Sequence, residues 1–264
     1  MIRTIFVAAW VILFFIFSFI FLVPLVFLMG KERGIKFSRK LAKYWGKSIV
    51  DKTGSSVEFF YKNKEIIESL KDEPVVIVSN HQSNMDIPVL LGYFPKDMGF
   101  VAKKEMETWP AIGGWMKRIQ CVFLDRNNPR AGIKTMQEAV EKIKNGYSVV
   151  IFPEGTRSKT GEIGEFKKGS FKLASDSGVK IIPVSIKGTM EIMGKESGKI
   201  AKSSVKVFVD EPIDPLKLEK EELKNLNEKC AKFIEETKLN FGIYEITDFK
   251  SRKELIAIDK SIYG

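Results

Sequence analysis

His81 is the only histidine in this 264-residue chain, and Asp86 follows it five residues later in Asn80-His81-Gln82-Ser83-Asn84-Met85-Asp86. A histidine and a carboxylate can share a proton: the carboxylate holds one ring nitrogen and the other is left free as a general base. On a continuous helix the two side chains would point about 140° apart, at roughly 3.6 residues per turn. The spacing therefore predicts a loop-to-helix passage, with His81 before the helix and Asp86 at its start. An aspartate there also serves as a helix N-cap, so the pair taken alone is ambiguous.

Three other charged clusters follow apolar runs. Lys103-Lys104-Glu105 comes after Phe100-Val101-Ala102, and Asp125-Arg126 after Val122-Phe123-Leu124. Val149-Val150-Ile151-Phe152-Pro153 leads into Glu154-Gly155-Thr156-Arg157-Ser158. Any one of these would read as an ordinary solvated charge. Together with His81, four such ends converge where parallel sheets bind ligands, at the carboxyl ends of their strands. One base–carboxylate pair among several cations suits a hydroxyl nucleophile attached to a phosphate.

The elements that must position these residues are legible as hydrophobic patterns. Strand-like runs occupy 57–61, 75–79, 98–102, 120–124, 148–152, 180–186 and 205–209, with helical patterns at 87–93, 105–118, 130–145 and 169–177. Val75-Val76-Ile77-Val78 has no alternation, as expected of a strand covered on both faces. The interleaving predicts an α/β fold, a largely parallel mixed sheet flanked by helices. A charged helix is expected after Pro215 to about residue 239, then a tail. No repeat and no second core is visible, so the expected division is 1–52 as an N-terminal attachment segment and 53–264 as one domain.

The attachment segment begins with 25 uncharged residues, 5–29, interrupted only by Ser18 and Pro24. As a helix this run would reach about 38 Å, against about 30 Å of hydrocarbon. It lacks the small-residue cleavage site of a secretory signal, so it is expected to anchor the protein. Pro24 leaves open whether the run spans the bilayer or folds back within one leaflet. Residues 31–52 carry eight Lys or Arg and two acids. That asymmetry places the remainder on the cytoplasmic side and suggests a basic amphipathic helix at the headgroups, with a core-packing helix as the other reading. The net charge of +10 is then accounted for by anionic membrane lipids, and nucleic acid is not needed as a partner. The two cysteines, Cys121 and Cys230, lie far apart, and with one histidine they indicate neither a disulfide framework nor a metal site. No cofactor is expected.

These residues carry a resemblance. Asn80 to Asp86, Phe123-Leu124-Asp125-Arg126, Phe152 to Ser158 and Ile182-Pro183-Val184 resemble the four ordered blocks of the glycerolipid acyltransferases, in particular the bacterial 1-acyl-glycerol-3-phosphate acyltransferases. Lys103-Lys104-Glu105-Met106 is similar to that family's Lys-x-Glu-Leu stretch. The resemblance implies transfer of an acyl group from acyl-CoA or acyl-carrier protein to the 2-hydroxyl of lysophosphatidic acid. His81 would be the base and Asp86 its orienting carboxylate. Lys103, Arg126 and Arg157 would hold the phosphate, with Gly155 and Thr156 on the turn that approaches the substrate. Glu154 would orient the arginine or the glycerol, and Pro183 would shape a strand end at the rim. Since a thioester is already activated, direct transfer without an acyl-enzyme is expected, and neither Ser83 nor Cys121 is a carrier. The alternatives are a sister enzyme acting on glycerol-3-phosphate, another lysophospholipid or a lipid A precursor, and a non-catalytic protein that binds anionic lipids.

Overall fold

The structure is a computed structural model that describes residues 1–125, 128–194 and 198–239. Seven strands form one sheet: β1 (Ser56–Tyr61), β2 (Val76–Ser79), β3 (Gly99–Lys103), β4 (Val122–Leu124), β5 (Val149–Ile151), β6 (Ile181–Lys187) and β7 (Ser204–Val209). Their order is β1-β7-β6-β2-β5-β3-β4. Every neighbouring pair is parallel except β6–β7. This is the mixed, largely parallel sheet that the pattern predicts.

The strands at its centre are short and covered on both faces. In β2, Val76 and Val78 belong to one apolar cluster and Ile77 to the other. The unbroken β-branched run thus serves two cores, one side chain at a time. On one face lie α3 (Lys31–Thr53), α4 (Lys64–Ser69) and α5 (Asp86–Tyr93), which bury Ile49, Val50, Ile67, Val89 and Leu90. The other face is covered by α7 (Pro129–Lys144), α8 (Lys168–Ser177) and α11 (Leu226–Leu239), through Ile143, Phe171, Leu173 and Ile234. The tail expected beyond residue 239 lies outside the described residues.

The predicted helix at 105–118 divides in two. A 3₁₀ turn, Lys104–Thr108, precedes α6 (Ile112–Arg118). Pro110 causes the break, since Trp109 before it is held extended at φ −63°, ψ 129° and a proline disfavours helical geometry in its predecessor. Pro183 also differs from expectation. It lies within β6, opposite Val78, so it shapes the buried middle of a strand rather than its end at the rim.

Helix α3 packs against the domain. Its Gly46 meets Gly92 of α5 so closely that a Cβ on Gly92 would lie 2.4 Å from the Lys47 nitrogen. Any larger residue would push the helices apart, at a cost of about 1–3 kcal/mol. The lysine-rich face of α3 stays outside, and Lys31, Lys36, Lys40, Lys43 and Lys47 are exposed.

The apolar N-terminus is helical from Ile2 to Leu28, as α1 (Ile2–Phe17), a π-helical segment (Ser18–Leu22) and α2 (Val23–Leu28). Pro24 has no N–H for the Ile20 carbonyl four residues back, and the widened turn ends beside it. One side of α1 docks on the domain. Val7 is buried, Trp10 Nε1 donates to Ser48 Oγ at 3.1 Å, and Phe15 meets Trp45. The Ile200 amide, across the fold, donates to Thr4 Oγ1 at 3.0 Å. The opposite side exposes Ile5, Ile12, Leu13, Ile16, Phe17, Phe19 and Phe21, each more than half accessible.

Candidate active site

Strand β2 ends at Ser79, and the chain crosses a short loop into α5. The first residue of that loop is locked by a side chain acting as backbone. Asn80 Nδ2 donates to the Ile186 carbonyl at 2.9 Å and Asn80 Oδ1 accepts the Ile186 amide at 2.8 Å, which extends the β2–β6 pairing by one rung. His81 follows, 15% exposed, and its Nδ1 is 2.7 Å from Oδ2 of the fully buried Asp86. An ionised carboxylate can only accept, so Nδ1 carries the proton and Nε2 keeps its lone pair.

The same Asp86 oxygen accepts the Gln82 and Ser83 amides at 2.8 and 2.9 Å. The aspartate is therefore both the partner of His81 and the group that folds the loop around it. Its other oxygen, Oδ1, accepts Thr189 Oγ1. A buried carboxylate with four donors is compensated for the water it has lost.

Strand β5, next to β2, supplies the other half of the site. The Phe152 ring lies on the imidazole, with centroids 4.1 Å apart and planes 14° from parallel. Glu154 is buried and faces backbone: Oε1 accepts the His81 amide at 2.7 Å and Oε2 the Gly164 amide at 3.0 Å. Burial raises its pKa from the ordinary carboxylate value, against these hydrogen bonds. The Ser158 amide donates to the His81 carbonyl at 2.8 Å. The Glu154–Ser158 turn thus grips His81 by both its N–H and its C=O. Both carboxylate oxygens of Glu154 thus accept amides of the protein's own chain, one of them that of His81.

A cavity of about 660 Å³ opens beside this pair. His81, Lys103, Gly155, Thr156 and Arg157 all line it. Of the expected site residues, Asp86 and Glu154 stand behind His81, and Arg126 lies outside the described residues. Gly155 has φ +70°, left-handed backbone that favours glycine, and the Lys167 ammonium lies 3.2 Å from where its Cβ would be. Most of the remaining lining is apolar. Phe14, Phe15 and Trp45 close it from the N-terminal helix and α3, and Met106, Ile112, Trp115 and Ile119 from the α6 side. The α6 wall is tied to the N-terminal helical segment, since Trp115 Nε1 donates to Ser18 Oγ at 3.0 Å and Arg118 sits over the Phe27 ring.

Comparison with known proteins agrees with this geometry. Residues 58–187 match the family described as Acyltransferase. The crystal structure of the 1-acyl-sn-glycerophosphate acyltransferase PlsC from Thermotoga maritima superposes with a TM-score of 0.77 at 33% identity, covering 90% of this chain and 95% of that one. The chain belongs to the acyltransferase family. A probable 1-acyl-sn-glycerol-3-phosphate acyltransferase of Mycoplasma pneumoniae is 33% identical over 184 residues, 64% of this chain and 68% of that one. The chloroplastic enzyme LPAT1 of Arabidopsis thaliana, named as the same activity, is 39% identical over 194 residues, 72% of this chain. The match spans about half, 52%, of that plant relative's length.

Phe152 and Thr189 join the site although the sequence suggests no role for either, and Lys167 lies beside Gly155. Only Phe152 leaves a signal, as an aromatic residue at the end of a buried strand and just before Pro153. Thr189 and Lys167 reach the site through tertiary folding.

Proposed function

We propose that this chain is a 1-acyl-sn-glycerol-3-phosphate O-acyltransferase, which moves a fatty acyl group from a thioester to the 2-hydroxyl of lysophosphatidic acid. The observation that carries this reading is one cavity with two characters. Its lining holds His81, Lys103 and Arg157 together with a larger set of apolar side chains, among them Phe14 and Phe15 of the N-terminal helix. A phosphate and a hydroxyl fit the first set, and a hydrocarbon chain fits the second.

His81 Nε2 removes the hydroxyl proton as the oxygen attacks the thioester carbonyl. The carbon–sulfur bond then breaks, and the departing thiolate takes the proton from His81. Oxygen has replaced sulfur on the acyl carbon, the base is regenerated, and no cofactor is consumed. Asp86 stabilises the transient imidazolium, while Lys103 and Arg157, with Arg126 from the sequence reading, hold the acceptor's phosphate. Acyl-CoA and acyl-carrier protein both present the required thioester.

The anchor fits an enzyme whose acceptor and product live in a bilayer. Its helix is docked along the domain from Thr4 to Phe27 rather than leaving it end-on. That supports a helix lying within one leaflet, its exposed apolar side in hydrocarbon and the lysines of α3 near cytoplasmic headgroups.

The test is acyl transfer by the purified protein in mixed micelles, with acyl-CoA and acyl-carrier protein as donors. The acceptors are lysophosphatidic acid, glycerol-3-phosphate, lysophosphatidylcholine and monoacylglycerol. The expected product is phosphatidic acid, lost by at least about 100-fold in His81→Ala, since a general base contributes 10²–10⁴. Faster acylation of another acceptor would move the assignment to a sister enzyme. No transfer to any acceptor would leave a lipid-binding protein.

A further inference from the structure

We infer that Thr189 is a positioning residue for the base, selecting the ring tautomer of His81 by holding the second oxygen of Asp86. The Asp86 Oδ2 atom has three donors, from the His81 ring and the amides of Gln82 and Ser83. For Oδ1 the hydrogen-bond partner is Thr189 Oγ1 alone among the described residues, and both residues are fully buried.

The sequence after β6 is built to deliver that hydroxyl. Gly188 has φ +96°, and a Cβ there would lie 2.3 Å from the Ser204 carbonyl oxygen, so both conformation and space require glycine. The chain turns tightly at that point and begins α9 (Thr189–Ile192) beneath the His81 loop. Two further bonds tie the same segments together. Asn80 is paired with the Ile186 backbone, and Ser83 Oγ donates to the Met193 carbonyl at 2.6 Å. Those two hold backbone and survive loss of the Thr189 hydroxyl, so a substitution at 189 isolates the carboxylate itself.

Deprived of Thr189, Oδ1 is a buried anionic oxygen with no donor. The carboxylate then gains by turning about its Cβ–Cγ bond to share the two amides between its oxygens, and the single direction of its bond to His81 Nδ1 is lost. Nε2 carries the ring proton part of the time, and an imidazole in that form cannot accept the substrate's proton.

The inference rests on the acyltransferase reading for its consequence, but its test has a readout independent of turnover. With one histidine in the chain, protein labelled with ¹⁵N-histidine gives the two ring-nitrogen signals of His81 alone. At a pH high enough for the ring to be neutral, the wild type should show one tautomer, protonated at Nδ1. Thr189→Val should show a substantial Nε2–H population and a kcat about 10- to 100-fold lower, with KM for lysophosphatidic acid within about twofold. Thr189→Ser should keep the single tautomer and recover most of the turnover. If Thr189→Val does not fold, Thr189→Ala is read in the same way. A pure Nδ1–H tautomer in a folded Val or Ala variant overturns the inference, and so does a folded Thr189→Ser variant that loses as much turnover as Thr189→Val. Should the wild type fail to acylate lysophosphatidic acid, the proposed function falls, whereas the tautomer result still decides the role of Thr189.

Discussion

Phe152 covers one face of the His81 ring, with centroids 4.1 Å apart and planes 14° from parallel. It also stands beside Phe100, at 6.3 Å, so the imidazole rests on an aromatic step continuous with the core. Such contacts are worth about 0.5–1.5 kcal/mol. Phe152→Leu should keep the fold and lower kcat about 3- to 10-fold, as the ring gains freedom to leave Asp86. Steady-state kinetics at saturating substrates checks this, and an unchanged kcat would show that the stacking is packing alone.

Glu154→Gln replaces two acceptor oxygens by one oxygen and an NH₂ group. One of the two amides it serves, that of His81 or that of Gly164, must go unpaired. Losing a charge-assisted bond costs about 1.5–3 kcal/mol. Burial raises the Glu154 pKa, so the folded protein holds this proton to higher pH than the unfolded chain does, and in the wild type stability falls as pH rises from the ordinary carboxylate value towards the raised one. The Gln variant should therefore show lower activity together with a melting temperature that falls less as pH rises above the ordinary carboxylate range. A pH profile of stability identical to wild type would remove Glu154 as the titrating group.

Phosphate recognition should separate from chemistry. Arg157→Ala and Lys103→Ala, both in the cavity lining, should each lower kcat/KM for lysophosphatidic acid about 10- to 100-fold. Turnover of monoacylglycerol, which has no phosphate, should change little. Equal loss on both acceptors would assign these residues to the donor or the fold.

No acyl-enzyme should form. Ser83 is fully buried, and its hydroxyl donates to Met193 and accepts the Met85 amide. Burial pushes the thiols of Cys121 and Cys230 up to about 12, leaving a thiolate fraction on the order of 10⁻⁴ at pH 8. Maleimide should find neither thiol in the native protein and both after unfolding. Labelled acyl thioester without acceptor should leave no label on the denatured chain, and kinetics should be sequential. A stoichiometric label, absent from Ser83→Ala or Cys121→Ser, would replace direct transfer by a covalent route.

Deleting residues 1–30 should do more than free the protein from membranes. It removes Phe14 and Phe15 from the cavity wall and uncovers the site occupied by Val7. Turnover of long acyl chains should fall by more than that of short ones, and the remaining vesicle binding should be abolished by salt. Truncated protein that sediments with vesicles in high salt would place the anchor elsewhere.

The features legible in the sequence are those written in neighbouring residues. The unbroken run before Ser79 marks a strand buried on both faces, because each of its side chains must enter one of two cores. The spacing of His81 and Asp86 specifies a loop entering a helix, because five residues cannot meet on a helix. Pro110 shows the limit of pattern alone: apolar periodicity continues through 105–118, but backbone sterics divide the helix. The remainder depends on which strands become neighbours. Phe152 reaches His81 because β5 pairs with β2, and Thr189 reaches Asp86 because β6 lies on the other side of β2. Glu154 turns to the backbone of His81 across 73 residues of chain. Thr189 and Asp86 are 103 residues apart, and no local period or propensity encodes a contact at that separation. The chamber beside His81 is likewise a product of packing, since its walls come from the N-terminal helix, α3 and α6, which share no sequence pattern and meet only in the folded chain.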